Sequence, residues 1–517
     1  MTFIRLSVLA VIFSCCVLIP AGSRGAYAYA GGTGVFIDRF RTQTSEIKDT
    51  SQALTHYMMG QIYDNFGDSE TAVKEYENAL KYKSDIADIY LKLGTDFLLL
   101  GELDKAIIKA EKSVDLDPEN IKAYLLLAII YTAKGDFQKA QAEHEEALKH
   151  DPENLKVLTF LSDLFVVQER FDKAAEVYEK ILKIRKDDAF IYFNLGIIYS
   201  KLNLLDKAEE KLKQAIEVDE DYLEAQMVLG FIYEIDGKYA EAIKQYEKVT
   251  AIDALNKEAY VRLGQIYYRL GETDKAVEQN RILMQLDIYS PEPYLRNFGI
   301  YASEKQFGKA EGVLQEALEN GVSNAIIYGS LGYLAILKGD NKKAIDYYTI
   351  ASEKDPANDM YKFYLAVAED QSGRRKEAIN ILEGLVVAKS GLSEAYNYLG
   401  YIYAEEGRDL DKAVVLIKKA LELNPGNGAY IDSLGWAYYK KGMFDEALTE
   451  IKKAAERLPS DAIIRSHLAE VYYARGEYEK AEQEWQKALE VDPDNKEIIK
   501  RLQEVRAKIK KEKPGKS

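Results

Sequence analysis

The residue types able to do covalent or metal chemistry are sparse in this sequence and badly spaced for it. The four histidines, His56, His144, His150 and His467, are scattered. His144-Glu145 opens like HExxH, in which two histidines four residues apart on one helix face hold zinc, but the second ligand position is Leu148. Cys15 and Cys16 are adjacent and no other cysteine follows, which excludes a disulfide framework or a cysteine zinc site in the rest of the chain. Gly31-Gly32-Thr33-Gly34 lacks the Lys-Ser/Thr of a phosphate loop. No metal and no cofactor is expected. The formal net charge of −16 speaks against nucleic acid, because phosphate binding needs clustered Lys and Arg.

Residues 1–30 read as a signal peptide. Arg5 precedes an uncharged, mostly apolar run from Leu6 to Ile19, Pro20 and Gly22 break it, and Ala28-Tyr29-Ala30 is an A-x-A cleavage pattern. The run is short for a membrane span of about 20 residues. Two alternatives stay open: lipidation of Cys15, since Ile12-Phe13-Ser14-Cys15 loosely fits a lipoprotein box, and an uncleaved anchor. Either would attach the protein to a membrane. The expected location is the periplasm or cell envelope, with outer-membrane lipid anchoring as the variant. Residues 31–52 read as a linker.

The remainder repeats one pattern. Ala72, Ala106, Ala140, Ala174, Ala208, Ala242, Ala276, Ala310, Ala344 and Ala378 recur every 34 residues, and Ala413, Ala447 and Ala481 continue after one inserted residue near Gly407. Twelve residues earlier runs a series of small residues that includes Gly94, Ala128, Gly196 and Gly230, interrupted by Phe298. Three residues after these come Phe97, Tyr131, Phe165, Tyr199 and further aromatics, broken by Ala335 and Glu369. Such a unit is a helix, a turn and a second helix: the small residues let the two helices approach, and the aromatics fill the space around them. Gly101, Gly135, Gly237 and Gly476 fall where the first helix must stop. Asp-Pro-x-Asn at Asp117–Asn120, Asp151–Asn154 and Asp492–Asn495 ends one unit and caps the next.

This pattern resembles the tetratricopeptide repeat (TPR). The third unit carries the family's residues in Tyr124, Leu127, Ala128, Tyr131, Ala140, Ala147 and Pro152. The expectation is an all-α, α–α superhelical solenoid of about thirteen TPR units over 53–495. They start at 53, 87, 121, 155, 189, 223, 257, 291, 325, 359, 393, 428 and 462. A capping helix and basic tail over 496–517 follow, because one unit cannot bury its apolar face alone. The eighth unit, with Pro291, Pro293 and Phe298-Gly299, is the most irregular and reads equally as a hinge or as degeneration.

The resemblance implies that the first helices line a concave surface through positions 2, 5, 6, 9, 12 and 13. Those positions hold Leu125, Leu126, Ile129, Phe160, Phe193, Ile197, Met227 and Phe231, then Tyr333 and Phe363, with Trp436 further on. Two readings stand: a hydrophobic groove for a peptide, an unfolded segment or a partner helix, or side chains packed against neighbouring helices. The Lys-5/Asn-9 pairing of TPR clamps for chaperone C-termini is missing, although Asn194 holds a position 6.

The stretch with Tyr396-Asn397-Tyr398-Leu399-Gly400-Tyr401 and Ile431-Asp432-Ser433-Leu434-Gly435-Trp436-Ala437-Tyr438-Tyr439 looks like the C-terminal part of bacterial cell-envelope TPR proteins. One such group contains the lipoprotein adaptor of a carboxyl-terminal processing protease. The resemblance implies an envelope scaffold or adaptor that presents client proteins to a protease or assembly machine. A subunit of exopolysaccharide export or pilus assembly is the alternative. A TPR-containing enzyme of glycosyltransferase type is not expected, since about twenty residues outside the repeats cannot build an active site.

Overall fold

The computed structural model describes residues 44–512. The expected signal peptide over 1–30, Cys15, the Gly31–Gly34 run and the last five residues lie outside the described residues. Within them the chain is all-α: 27 helices follow one another and there is no strand. From the second unit on, a helix begins at each expected start, at Ala87, Ile121, Leu155 and so on to Ala462. The first helix is a correction. The linker was expected to run to residue 52, but α1 spans Thr44–Phe66 and already buries Thr50 and Ala53. Thr50 supplies an inward face about one helical turn ahead of Ala53, where the 34-residue pattern begins.

The remaining helices alternate between a first and a second helix of each repeat. α2 is Ser69–Tyr82, α3 Ala87–Leu99, α4 Leu103–Leu116, α5 Ile121–Lys134, α6 Phe137–His150, α7 Leu155–Val167 and α8 Phe171–Ile184. Then come α9 Ala189–Lys201, α10 Leu205–Val218, α11 Leu223–Ile235, α12 Tyr239–Ile252, α13 Lys257–Arg269, α14 Thr273–Leu286, α15 Pro291–Ser303 and α16 Phe307–Glu319. The series ends with α17 Ala325–Leu337, α18 Asn341–Lys354, α19 Asp359–Gln371, α20 Arg375–Val387, α21 Ser393–Glu405, α22 Leu410–Leu423, α23 Gly428–Lys440, α24 Phe444–Arg457, α25 Ala462–Ala474, α26 Tyr478–Val491 and α27 Lys496–Glu512. The chain divides into two compact bodies, one ending at Ala259 and one beginning at Tyr260. In each, helices pack against their sequence neighbours.

The helix ends follow from local chemistry. The side chains of Asn120, Asn154 and Asn495 accept from the amides of Lys122, Val157 and Ile498, so each closing Asp-Pro-x-Asn also caps the next helix. Gly135 ends α5 in the left-handed region at φ 81°. The same turn forces Glu169 and Asn203 to φ 57° and 59°, where a Cβ is strained.

The periodic alanines, from Ala72 to Ala481, are fully buried. They face the small residues of the first helix. A Cβ on Gly400 would lie 2.6 Å from Ile417 Cγ1 and 3.0 Å from the Ala413 carbonyl oxygen, so this helix pair closes only over glycine. At the end of the second body, Ile498, Leu502 and Val505 of α27 bury against the cluster containing Ile464, Leu468 and Trp485.

Candidate protein-interaction surface

The aromatic series after the small residues ties repeats together. Phe97, Tyr131, Phe165, Tyr199, Tyr233, Tyr267, Tyr403 and Tyr472 are buried. Several tyrosine hydroxyls of the series reach back to the previous repeat: Tyr131 donates to Glu111 at 3.2 Å, Tyr233 to Glu209 at 3.1 Å and Tyr403 to Glu383 at 2.6 Å. A lysine from the following helix lies against the ring, as Lys139 does on Tyr131 at 5.1 Å and Lys412 on Tyr403 at 5.0 Å. These contacts belong to the scaffold and leave the first-helix faces to be judged separately.

The structure sorts the groove candidates. Leu125 and Leu126 are buried, Leu125 in a cluster with Tyr124, Ala147 and Val157. Phe363 is buried, its ring edge-on to Tyr398 at 6.0 Å. Trp436 is buried as well. These four expected groove residues are packed within the chain and present little surface to a partner. Ile129, Phe160, Phe193, Ile197 and Met227 are half-buried. Phe160 meets the His144 ring at 6.5 Å, and Phe193 meets Tyr222 at 5.1 Å. Phe231 and Tyr333 are exposed, at 43% and 49%. Exposed on the same helices are Ile235 beside Phe231 in the first body and Ile326 and Leu337 beside Tyr333 in the second, and Phe190 is exposed on α9.

The apolar surface is therefore narrower than the sequence pattern implies and shifted toward the C-terminal ends of α11 and α17. A second apolar patch lies on α1, where Met58, Met59, Ile62 and Phe66 are exposed. Position 7, occupied there by Met59, carries a buried leucine in the next repeat, Leu93.

Around Trp436 the structure shows an arrangement the sequence reading left out. The His467 ring stacks on Trp436 at 3.9 Å and 16°, and Tyr439 stacks on it at 4.7 Å. His467 Nδ1 lies 2.8 Å from Asp432 Oδ2 in a buried pair. Trp436 Nε1 donates to Glu405, and Lys440 Nζ lies 5.0 Å from the Trp436 ring. The hydroxyl of Tyr401 nearby is pushed up to about 12 by burial, with Glu405 and Asp432 adding negative charge. The signal was available: Asp432 and Trp436 hold positions 5 and 9 of one unit and His467 position 6 of the next, all in the concave set.

Ionisable groups are also buried away from these faces. Asp96 of α3 lies close enough to Asp64 of α1 for that carboxylate to raise its proton affinity. Asp96 is pushed up to about 8, first by burial and then by Asp64. Tyr76 donates to Asp64 Oδ2 at 2.6 Å, and Lys92 lies 3.7 Å from it. His144 is held down to about 4 by burial alone. Glu369, standing where an aromatic belongs, is buried and paired with Arg374 at 2.6 Å. Among the described residues no group of three His, Cys, Asp or Glu side chains could hold a metal, and no helix is long and apolar enough to cross a membrane.

Family models described as tetratricopeptide repeat match residues 97–164, 131–195 and 438–505, then 57–121, 301–359 and 335–393, then 191–222 and 393–427. A TPR repeat model matches 235–271. Comparison with curated proteins yields no match. Among solved structures, one of Naa15/Naa10 bound to HypK-THB is 20% identical with a TM-score of 0.43, over 84% of this chain and 68% of that one. Yeast Tom70 is 17% identical with a TM-score of 0.36, over 89% and 96%. A crystal structure of MamA is 27% identical with a TM-score of 0.30, over 31% and 94%.

Proposed function

We propose, from the premise that this chain is a tetratricopeptide-repeat protein, that it is a binding scaffold whose partners dock on the first-helix faces. The observation that carries this is the set of large apolar side chains left exposed there: Phe231 and Ile235 on α11, and Tyr333 and Leu337 on α17. Single exposed apolar residues are ordinary, but successive turns of one helix carrying Phe and Ile, or Tyr and Leu, form the i, i+4 stripe that a partner helix or extended segment covers.

The finer reading places the scaffold in the bacterial cell envelope, as an adaptor that brings client proteins to a processing protease or an assembly machine. It rests on the export-type start of the sequence and on the 396–439 stretch resembling envelope TPR proteins. Cell fractionation followed by affinity capture from envelope extract tests it, with Phe231→Ser as the control. Recovery of a carboxyl-terminal processing protease together with its clients, lost in the variant, is the expected result. Recovery of exopolysaccharide-export or pilus subunits supports the alternative assembly role. A protein found only in the cytoplasmic fraction rules the envelope reading out.

A further inference from the structure

The second body contains a cleft of about 710 Å³ bounded by α14, α15 and α16. Its volume falls in the range of about 300–1,000 Å³ usual for small-ligand sites. Three departures from the repeat create it. Position 7 is a leucine in every unit from the second onward except the eighth, where it is Asn297. Position 24 is Asn280 in the seventh unit, where the flanking units carry Tyr246 and Leu314. Gly312 stands in α16 where the flanking units have Glu278 and Asp346, and nothing lies within 4 Å of where its Cβ would be.

The two asparagines are a buried pair, 3% and 1% exposed, with Asn280 Nδ2 donating to Asn297 Oδ1 at 2.8 Å. Asn297 Nδ2 reaches the Val277 carbonyl only at 3.5 Å. A carboxamide carries two N–H donors and two acceptor sites, so Asn297 keeps one of each for a molecule in the cleft it lines. The neighbouring repeats show that leucine fills this place without an amide, so the fold does not require the pair.

We infer that this cleft is a binding site for a short zwitterionic peptide, the backbone amide of which pairs with Asn297. The floor also offers Val277, Met284 and Val313, all buried, against which a small side chain packs. The rim carries both signs. Arg281 and Lys309 face a carboxylate terminus, while Asp274, Glu278 and Glu316 face an ammonium terminus. Among the described residues Arg281 forms no ion pair within the chain, so its fork is available for a bidentate carboxylate. Lys309 Nζ lies 5.4 Å from the Tyr301 ring at the edge of the cleft. Three acids on the rim disfavour phosphate-bearing ligands, and an amide between two opposite charges describes a peptide of a few residues.

Titration calorimetry of the full chain with triglycine, trialanine and Gly-Leu-Gly tests this. Saturable one-site binding is expected for at least one of them. Asn297→Leu should weaken it by at least about tenfold, as loss of a buried recognition group does. Gly312→Leu should weaken it as much by filling the cleft, while leaving the melting temperature equal or higher, since glycine is the poorer helix former and the space is open. If Asn297→Leu misfolds, Gly312→Leu carries the test alone. No saturable binding by any of the three peptides, or binding unchanged by Gly312→Leu, overturns the inference.

Discussion

The phenol of Tyr403 donates to Glu383 Oε1 at 2.6 Å across a repeat boundary, and Lys412 Nζ lies 3.0 Å from the same oxygen. Tyr403 is 1% exposed, so its hydroxyl has exchanged water for this carboxylate. Burial and Glu383 together raise the phenol's affinity for its proton, while the Tyr403 and Lys412 hydrogen bonds hold Glu383 below the usual carboxylate range. Tyr403→Phe leaves the packing intact and should cost about 0.5–1.5 kcal/mol, read from denaturant midpoints. Glu383 has a depressed affinity in the folded state, so its contribution is present above the ordinary glutamate range and is lost as pH falls through the folded value. A variant as stable as the wild type would show that the boundary is held by ring packing alone.

Asp96 gives the opposite sign. Its folded-state value of about 8 stands above the ordinary 3.8, so the folded chain holds a proton that the unfolded chain releases. Stability contributed at this site therefore falls as pH rises from about 4 to about 8. Asp96→Asn should gain on the wild type across that window, by about 1–3 kcal/mol at the upper end. Thermal melts of both proteins at several pH values measure the difference; a constant difference would refute it.

His144 titrates in the other direction. Burial lowers it to about 4, so its site is fully stable above about 6.5 and loses stability as pH falls toward 4. His144→Leu, the residue that the tenth unit carries there as Leu382, should remove that acid-side loss. Melts between pH 4 and pH 7 provide the check.

Gly400→Ala should destabilise by about 1–3 kcal/mol, because the added Cβ meets both Ile417 and the Ala413 carbonyl oxygen. Gly312→Ala, placed in open space on a helix, should instead stabilise by up to about 1 kcal/mol. Equal effects from the two substitutions would contradict the packing described for α21 and α22.

Phe231→Ala separates binding from stability better than Phe193→Ala. Phe231 is 43% exposed, whereas Phe193 is half-buried against Tyr222. With a partner in hand, Phe231→Ala should weaken binding at least about tenfold, or about 1.4 kcal/mol, and lower the melting temperature less than Phe193→Ala does. Phe193→Ala should lower both. Unchanged affinity in Phe231→Ala would remove α11 from the docking surface.

The repeat length, the all-α class and most helix ends are decided by the sequence alone, for a local reason. A cap such as Asn154 acts on an amide three residues away, a left-handed turn such as Gly135 closes its own helix, and the 34-residue alanine spacing repeats one pairing of adjacent helices. Burial at the concave positions is not local. Leu126 and Phe231 belong to the same positional set, yet one is 6% exposed and the other 43%, because each depends on the bulk that neighbouring repeats bring against it. The same holds for Asp96, which meets Asp64 from another repeat, for His467, which meets Asp432 and Trp436, and for Asn280, which meets Asn297. Sequence pattern places each of these side chains on a helix face. Only the stacking of helices decides which faces meet, and therefore which charges are desolvated, which polar groups pair and which apolar residues remain open to a partner.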